Sequence, residues 1–361
     1  MTRREHGGAT PAAQVERLRE KLLAWYAAFR RDLPWRSTRD PYAIWVSEIM
    51  LQQTRVETVI PYFERFLEAF PTAVALAEAA PDDVLAKWSG LGYYRRARLL
   101  HEGARAVAKA GGKVPGSRAE LLGVPGIGRY TAGAIASIAF GEPVGLVDGN
   151  VARVLARLFA LEDDMRKAGM RKAEVLADEL VAREDPGGWN QALMELGATV
   201  CTPRSPACEA CPVRDECRAH AEGRVDALPK LSPKKPPTAQ RVQAVVATRA
   251  SDGAVLLARR KPDVLFGGLW EPPMAEGAAA SRAKLRGWLP VGHLARAGSI
   301  EHVLSHRKLT VDVLRGELLG KAPAPPEGSA YDTVKVVRIE EIASLGISTL
   351  AKKVLALGYG S

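Results

Sequence analysis

The sequence predicts a large, mainly helical domain over residues 1–227, a linker at 228–240 and a smaller α+β domain at 241–361. Three observations lead there. Apolar residues recur at helical spacing through residues 11–227. Four prolines and three lysines crowd Leu228–Gln240 (LPKLSPKKPPTAQ), a composition that favours an extended polar connector. Strand-like alternation begins only after that stretch.

The first helix is read from Val15, Leu18, Leu22, Leu23, Tyr26 and Phe29, which share one stripe of AQVERLREKLLAWYAAFRR. The same period marks Tyr42–Gln53, Val56–Phe70, Tyr94–Lys109, Arg129–Phe140, Asn150–Leu161, Arg171–Arg183 and Trp189–Val200. Pro41, Pro71, Pro81 and Pro186 punctuate these segments, as proline does near helix boundaries. Beyond the linker, Val242, Ala244 and Val246 alternate with other residues, and Ala254–Ala258 follows a turn at Asp252-Gly253. Val303–Leu314 and Val334–Ile339 are strand-like, and helices are expected at Ser281–Trp288 and Ser348–Leu357.

A chain of 361 residues with 47% hydrophobic content can bury two cores. Its net charge of +10 and pI near 9.5 favour a polyanionic partner, nucleic acid first among them. Met1–Ala9 carries Arg3 and Arg4 with no apolar run behind them, which argues against a secretory signal. The longest apolar stretch, Thr131–Phe140, falls short of the roughly 20 residues a membrane span needs. The expectation is a soluble protein of the cytoplasm or nucleoid with no membrane partner. In that reducing setting its cysteines are not expected to form disulfides.

All four cysteines lie in one segment, Cys201, Cys208, Cys211 and Cys217, with the spacing C-x6-C-x2-C-x5-C. Four thiolates so close can wrap a zinc ion or an iron–sulfur cluster. Structural zinc sites usually use two C-x2-C pairs and only one is present, so a [4Fe–4S] cluster fits better.

Between two helical segments, Leu122-Gly123-Val124-Pro125-Gly126-Ile127-Gly128 is rich in turn residues. Gly126 and Gly128 would expose backbone N–H groups at the start of the next helix, where a phosphate can bind. An ordinary connection between helices is the plainer explanation. Two carboxylates stand out. Asp148 precedes a helix, where capping alone would account for it. Glu48 sits among Trp45, Val46, Ile49, Met50 and Leu51, and apolar surroundings would raise its pKa. A solvated helix face is the usual fate of such a glutamate.

Several strings together resemble one family. L-x-V-P-G-I-G-R-Y-T-A resembles the helix-hairpin-helix of the endonuclease III-like DNA glycosylases, and the cysteine spacing resembles their cluster loop. Leu33-Pro34-Trp35-Arg36, S-E-I-M-L-Q-Q-T-R-V around Glu48, G-L-G-Y-Y-R-R-A-R at 90–98 and V-D-G-N-V-x-R-V at 147–154 are similar to the adenine DNA glycosylases of the MutY type. Phe266-Gly267-Gly268-Leu269-Trp270-Glu271-Pro272-Pro273 resembles the G-L-W-E-F-P of Nudix-like domains, without the acidic metal-binding helix that follows in active hydrolases.

The resemblance implies a mainly α catalytic domain, a helix-hairpin-helix with an iron–sulfur loop, plus a C-terminal α+β Nudix-like domain. It implies hydrolysis of the adenine N-glycosidic bond by a monomer acting on double-stranded DNA that holds A·8-oxoguanine or A·G mispairs. Glu48 would be the acid and Asp148 the cation-stabilising carboxylate, positioned by Tyr130 and Asn150. Glycosylases that also cut the strand carry a lysine where this chain has Tyr130, so base removal alone is expected. Arg36 and Gln191 match positions near the adenine pocket. Gln53 and Tyr93 match intercalating residues, with Thr54 and Leu91 beside them. Gly126 and Gly128 would hold phosphate. Ser305 and His306 match the family's F-S-H loop, in which this chain has Leu304 for the aromatic. The rival readings are a glycosylase-lyase for oxidised pyrimidines, a non-catalytic iron–sulfur DNA-binding module and a basic zinc protein.

Overall fold

A computed structural model describes residues 12–277 and 279–359, and the side chains among these except 279–282. The Met1–Ala9 stretch read for a signal lies outside the described residues. By packing, residues up to 49 together with 110–233 form one compact unit, and residues 50–109 together with 234 onward form a second.

The first unit is helical. Leu18, Leu22 and Tyr26 of the helix Ala12–Phe29 are buried against Val151, Val154 and Leu155 of Gly149–Leu158 and against Trp189 and Leu193 of Pro186–Thr199. Phe29, placed by its period on the buried stripe, is 70% exposed, because the helix ends there. Asp148 caps Gly149–Leu158, which stops before the expected Leu161 as residues 159–161 turn away, with Ala160 left-handed. Asp185 caps Pro186–Thr199, and Pro186 sits at the first turn, where its missing N–H costs nothing. The helix therefore starts ahead of the expected Trp189.

The second unit combines helices with a sheet. Helices Val56–Ala69, Ala73–Glu78, Pro81–Lys87 and Arg95–Lys109 enclose Phe66, which meets Phe70 and Trp88 edge-on at 5.0 and 5.8 Å. The strands are β1 (Thr238–Thr248), β2 (Val255–Arg260), β3 (Trp270–Glu271), β4 (Met274–Glu276), β5 (Ala295–Val303), β6 (Arg307–Glu317) and β7 (Tyr331–Val337). They pair in the order β3-β2-β1-β6-β5, with β4 on β1 and β7 on β2. β1 and β6 run parallel, from Thr238↔Arg307 to Thr248↔Glu317.

Val242, Ala244 and Val246 face Leu350, Val354 and Leu355 of the helix Thr349–Tyr359. Val245 and Ala247 face Leu285 and Leu289 at the end of Ala279–Trp288. The sheet is thus covered on both faces, and β1 is apolar on both. β1 also begins at Thr238, inside the stretch read as linker. The expected single strand Val303–Leu314 is instead a hairpin: β5 ends at Val303, residues 304–306 turn, and β6 follows. β5 escaped notice because ARAGSIEHV is largely polar and small, with a register shift at Gly298. No described helix is long and apolar enough to cross a membrane.

Candidate active site

Glu48 and Tyr130 form the centre. Glu48 lies on the helix Pro41–Leu51 and is 4% exposed. The Tyr130 hydroxyl donates to Glu48 Oε2 at 2.5 Å and lies 3.3 Å from Met194 Sδ. Burial pushes the Glu48 carboxyl up to about 7; the Tyr130 hydrogen bond lowers it, the nearby Asp148 charge raises it and Arg36 lowers it. Near neutral pH this group therefore exchanges a proton.

Asp148 is half-buried. Its Oδ1 accepts from the Val151 amide at 2.7 Å and its Oδ2 from Asn150 Nδ2 at 3.0 Å. Burial raises its pKa, while those two residues and the Arg153 charge pull it back. The support continues outward. Arg153 donates to Asn150 Oδ1 at 2.9 Å and to the Cys201 carbonyl at 2.8 Å, linking the carboxylate to the cysteine loop. Asp148 is thus both a helix cap and a carboxylate held beside Glu48's field, so the capping explanation and the chemical one are compatible.

A buried ion cluster lies behind. Arg36 donates to Glu195 at 2.7 Å and Arg31 grips both oxygens of the same carboxylate at 2.8 Å. Burial alone would raise Glu195, but the Arg31 and Arg36 hydrogen bonds hold it down at about 2. Arg36 also lies 5.4 Å from the Tyr26 ring centre, and the Tyr26 hydroxyl donates to Gln191 at 3.2 Å. Arg31 and Glu195 were missed in the sequence, where Tyr26 is read only as part of a helix stripe. Glu195 reads there as one more helical acid, and nothing local shows that two arginines from far upstream converge on it.

The hairpin forms as expected. A Ser117–Glu120 capping box starts the short helix Arg118–Leu121, and the turn after it leads into Arg129–Phe140. Gly126 has φ 82°, which glycine alone adopts without strain. Gly128 occupies the cap position with no side-chain cap bond, at the N-terminus of the next helix, where the dipole favours an anion.

In the second unit, Gln53 and Tyr93 are both left-handed, at φ 57° and 48°. Both are exposed, Thr54 is half-buried and Leu91 is only 5% exposed. Ser305 and His306 are exposed in the β5–β6 turn, and Ser305 Oγ lies 3.3 Å from the Tyr93 hydroxyl. Leu304 packs against the core, which gives this aliphatic residue a structural use.

The four cysteines line one cavity together with Arg157 and His220. Four thiols around one space form a donor set that suits an iron–sulfur cluster. Arg157 Nη1 lies 3.3 Å from Cys201 Sγ and donates to the Thr202 carbonyl at 2.7 Å, holding the loop to the helix Gly149–Leu158.

Residues 46–179 match the family described as HhH-GPD superfamily base excision DNA repair protein, 201–217 the iron-sulfur binding domain of endonuclease III, and 244–357 the NUDIX domain. The adenine DNA glycosylase of Rattus norvegicus is 39% identical over 95% of this chain and 78% of its own length. That of Homo sapiens is 37% identical over 96% and 75%. A solved thermostable thymine-DNA glycosylase is 29% identical, with a TM-score of 0.52 over 58% of this chain and 98% of that one.

Proposed function

Because this chain belongs to the adenine DNA glycosylases, an iron–sulfur family of base excision repair enzymes acting on DNA, we propose that its substrate is adenine opposite 8-oxoguanine and that Glu48 and Asp148 carry the hydrolysis. The observation behind this reading is a buried carboxyl brought to about 7 next to a second carboxylate held by N–H donors. Two carboxyl groups in opposite protonation states suit glycosidic cleavage.

Adenine would leave the duplex and enter the pocket. Protonated Glu48 donates to adenine N7. The C1′–N9 bond then breaks, and its electron pair leaves with the base. Ionised Asp148 stabilises the positive charge at C1′. Water adds to C1′ and gives up a proton to the Glu48 carboxylate, restoring the acid. Tyr130 orients Glu48, and Asn150 orients Asp148. With Tyr130 in place of an amine nucleophile, the product is an abasic site and the strand stays intact.

Cys201, Cys208, Cys211 and Cys217 would hold the cluster, which would brace the loop next to Arg153. Arg36 and Gln191 shape the adenine side, and Gly126 and Gly128 offer N–H groups to a phosphate. Gln53, Thr54, Leu91, Tyr93, Ser305 and His306 address the opposite base. One monomer of residues 1–227 and 241–361 suffices for both tasks.

The deciding experiment is a cleavage assay on duplexes holding A·8-oxoguanine, A·G, A·C or thymine glycol·A, with and without alkali. Cleavage at the first two, seen only after alkali, is expected. Alkali-independent cutting at thymine glycol would overturn the assignment.

A further inference from the structure

Away from the carboxylates, one buried cation gathers two turns of the second unit. Arg96 is the second residue of Arg95–Lys109 and is 8% exposed. Its guanidinium donates to the Met50 carbonyl at 2.9 Å, to the Gln52 carbonyl, to Thr54 Oγ1 at 3.1 Å and to the Gly92 carbonyl at 3.3 Å. It also lies over the Trp88 and Tyr93 rings, at 5.5 and 5.3 Å. Gln52 and Thr54 bracket Gln53, and Gly92 precedes Tyr93. Gln53 and Tyr93 both have left-handed backbones.

A residue with a Cβ keeps a left-handed backbone only where its surroundings over-determine it. Arg96 supplies that constraint from one side chain. The position is a poor one for helix stability, since a cation in the first turn opposes the helix dipole and a buried one gives up its hydration. Burial brings its pKa down to about 10, so it stays charged at neutral pH.

We propose that Arg96 is a positioning residue that locks the 51–54 and 90–93 turns into one preformed wedge, so that Gln53 and Tyr93 meet the mispaired duplex as a unit. This rests on the reading of Gln53 and Tyr93 as lesion-side residues. A planar fork with five N–H donors can serve acceptors on both turns at once, whereas a lysine ammonium is a single point. Turns ordered beforehand spare the cost of ordering them on DNA.

The test is a set of full-length, cluster-loaded variants: Arg96→Lys, Gln53→Ala, Tyr93→Ala, the two alanines together, and Arg96→Lys with both alanines. Single-turnover excision is measured on A·8-oxoguanine and A·G. Arg96→Lys is expected to lower the preference for the oxidised pair about tenfold. It should leave the pH profile of the A·G reaction unchanged, and it should add nothing in the background lacking Gln53 and Tyr93 side chains. Equal loss on both substrates, or additive loss in the combined variant, overturns the clamp. If the two alanine variants themselves keep wild-type preference, the lesion-side reading fails first and the clamp with it. Should Arg96→Lys not fold, Thr54→Val removes one acceptor alone. A few-fold loss of preference that vanishes in the background lacking the Gln53 and Tyr93 side chains then supports the clamp; an unchanged preference, or the same loss in both backgrounds, overturns it.

Discussion

The hydroxyls of Tyr93 and Ser305 lie 3.3 Å apart, although 212 positions separate them in the chain. One belongs to a strained turn ahead of a helix, the other to the β5–β6 hairpin. 8-Oxoguanine differs from guanine in an O8 acceptor and an N7–H donor, and a hydroxyl can address either. If the pair reads that edge together, Ser305→Ala and Tyr93→Phe should each weaken preference for A·8-oxoguanine over A·G a few-fold, the worth of one hydrogen bond at about 0.5–1.5 kcal/mol. The double variant should lose no more than either single one, measured as the ratio of single-turnover rates. Additive losses would mean that the two hydroxyls act separately.

Glu48→Gln should abolish excision while leaving DNA affinity within about twofold, because the amide keeps the shape and loses the proton. In the wild type, excision should fall as pH rises through about 7, where the acid ionises. Stability carries the same sign. The folded value lies above the ordinary 4.5, so stability is full below that pH and declines as pH rises to about 7. Glutamine imitates the protonated form. At about pH 8 the variant should be more stable than wild type by about 3 kcal/mol, checked by urea denaturation.

The helices were legible where one face alone is buried, as with Leu18 and Leu22, since period and burial then coincide. Legibility failed in β1, where the run VQAVVA was read as alternation. Val245 and Ala247 fill the intervening positions because a second helix covers that face. In the candidate site, the sequence motifs single out Glu48, Tyr130, Asp148 and Asn150, and the structure brings Tyr130 to Glu48 and Asn150 to Asp148. Glu195 and Arg96 were not legible, because each is defined by partners that tertiary packing gathers. The left-handed turns at Gln53 and Tyr93 were hidden too, as neither residue type announces such a backbone.

Glu195→Gln tests the buried ion cluster. Its carboxyl, at about 2, contributes stability that is full above the ordinary 4.5 and lost as pH falls toward 2. The amide would leave Arg36, whose side chain is 9% exposed, short of its counter-charge. A loss of about 3–5 kcal/mol at neutral pH is expected. A thermal midpoint unchanged at pH 7 and equally resistant to acid would show that the arginines find other partners.

Cys208→Ser or Cys211→Ser should lower bound iron and DNA affinity together, with iron assayed chemically and binding by fluorescence anisotropy. The four cysteines share one cavity, and Arg153 ties the Cys201 carbonyl to Asn150. Loosening the loop should therefore also slow excision. A variant with full iron content and normal affinity would contradict a four-cysteine site.

Asp148→Asn separates the helix cap seen in the structure from the chemical role proposed for the same side chain. As a cap, Asp148 accepts from the Val151 amide, and asparagine caps about as well as aspartate, so the change should cost under about 1 kcal/mol. Burial raises the Asp148 pKa, meaning that its charge is held at some cost in stability, and removing the charge offsets part of any loss. As a chemical group it has no such substitute, because a neutral amide cannot balance a developing positive charge at C1′. Excision should fall by at least about a hundredfold with the thermal midpoint nearly unchanged. Asp148→Ala would lose both roles and could not tell them apart. An asparagine variant with wild-type rates would reduce Asp148 to a cap and leave the oxocarbenium ion without its partner.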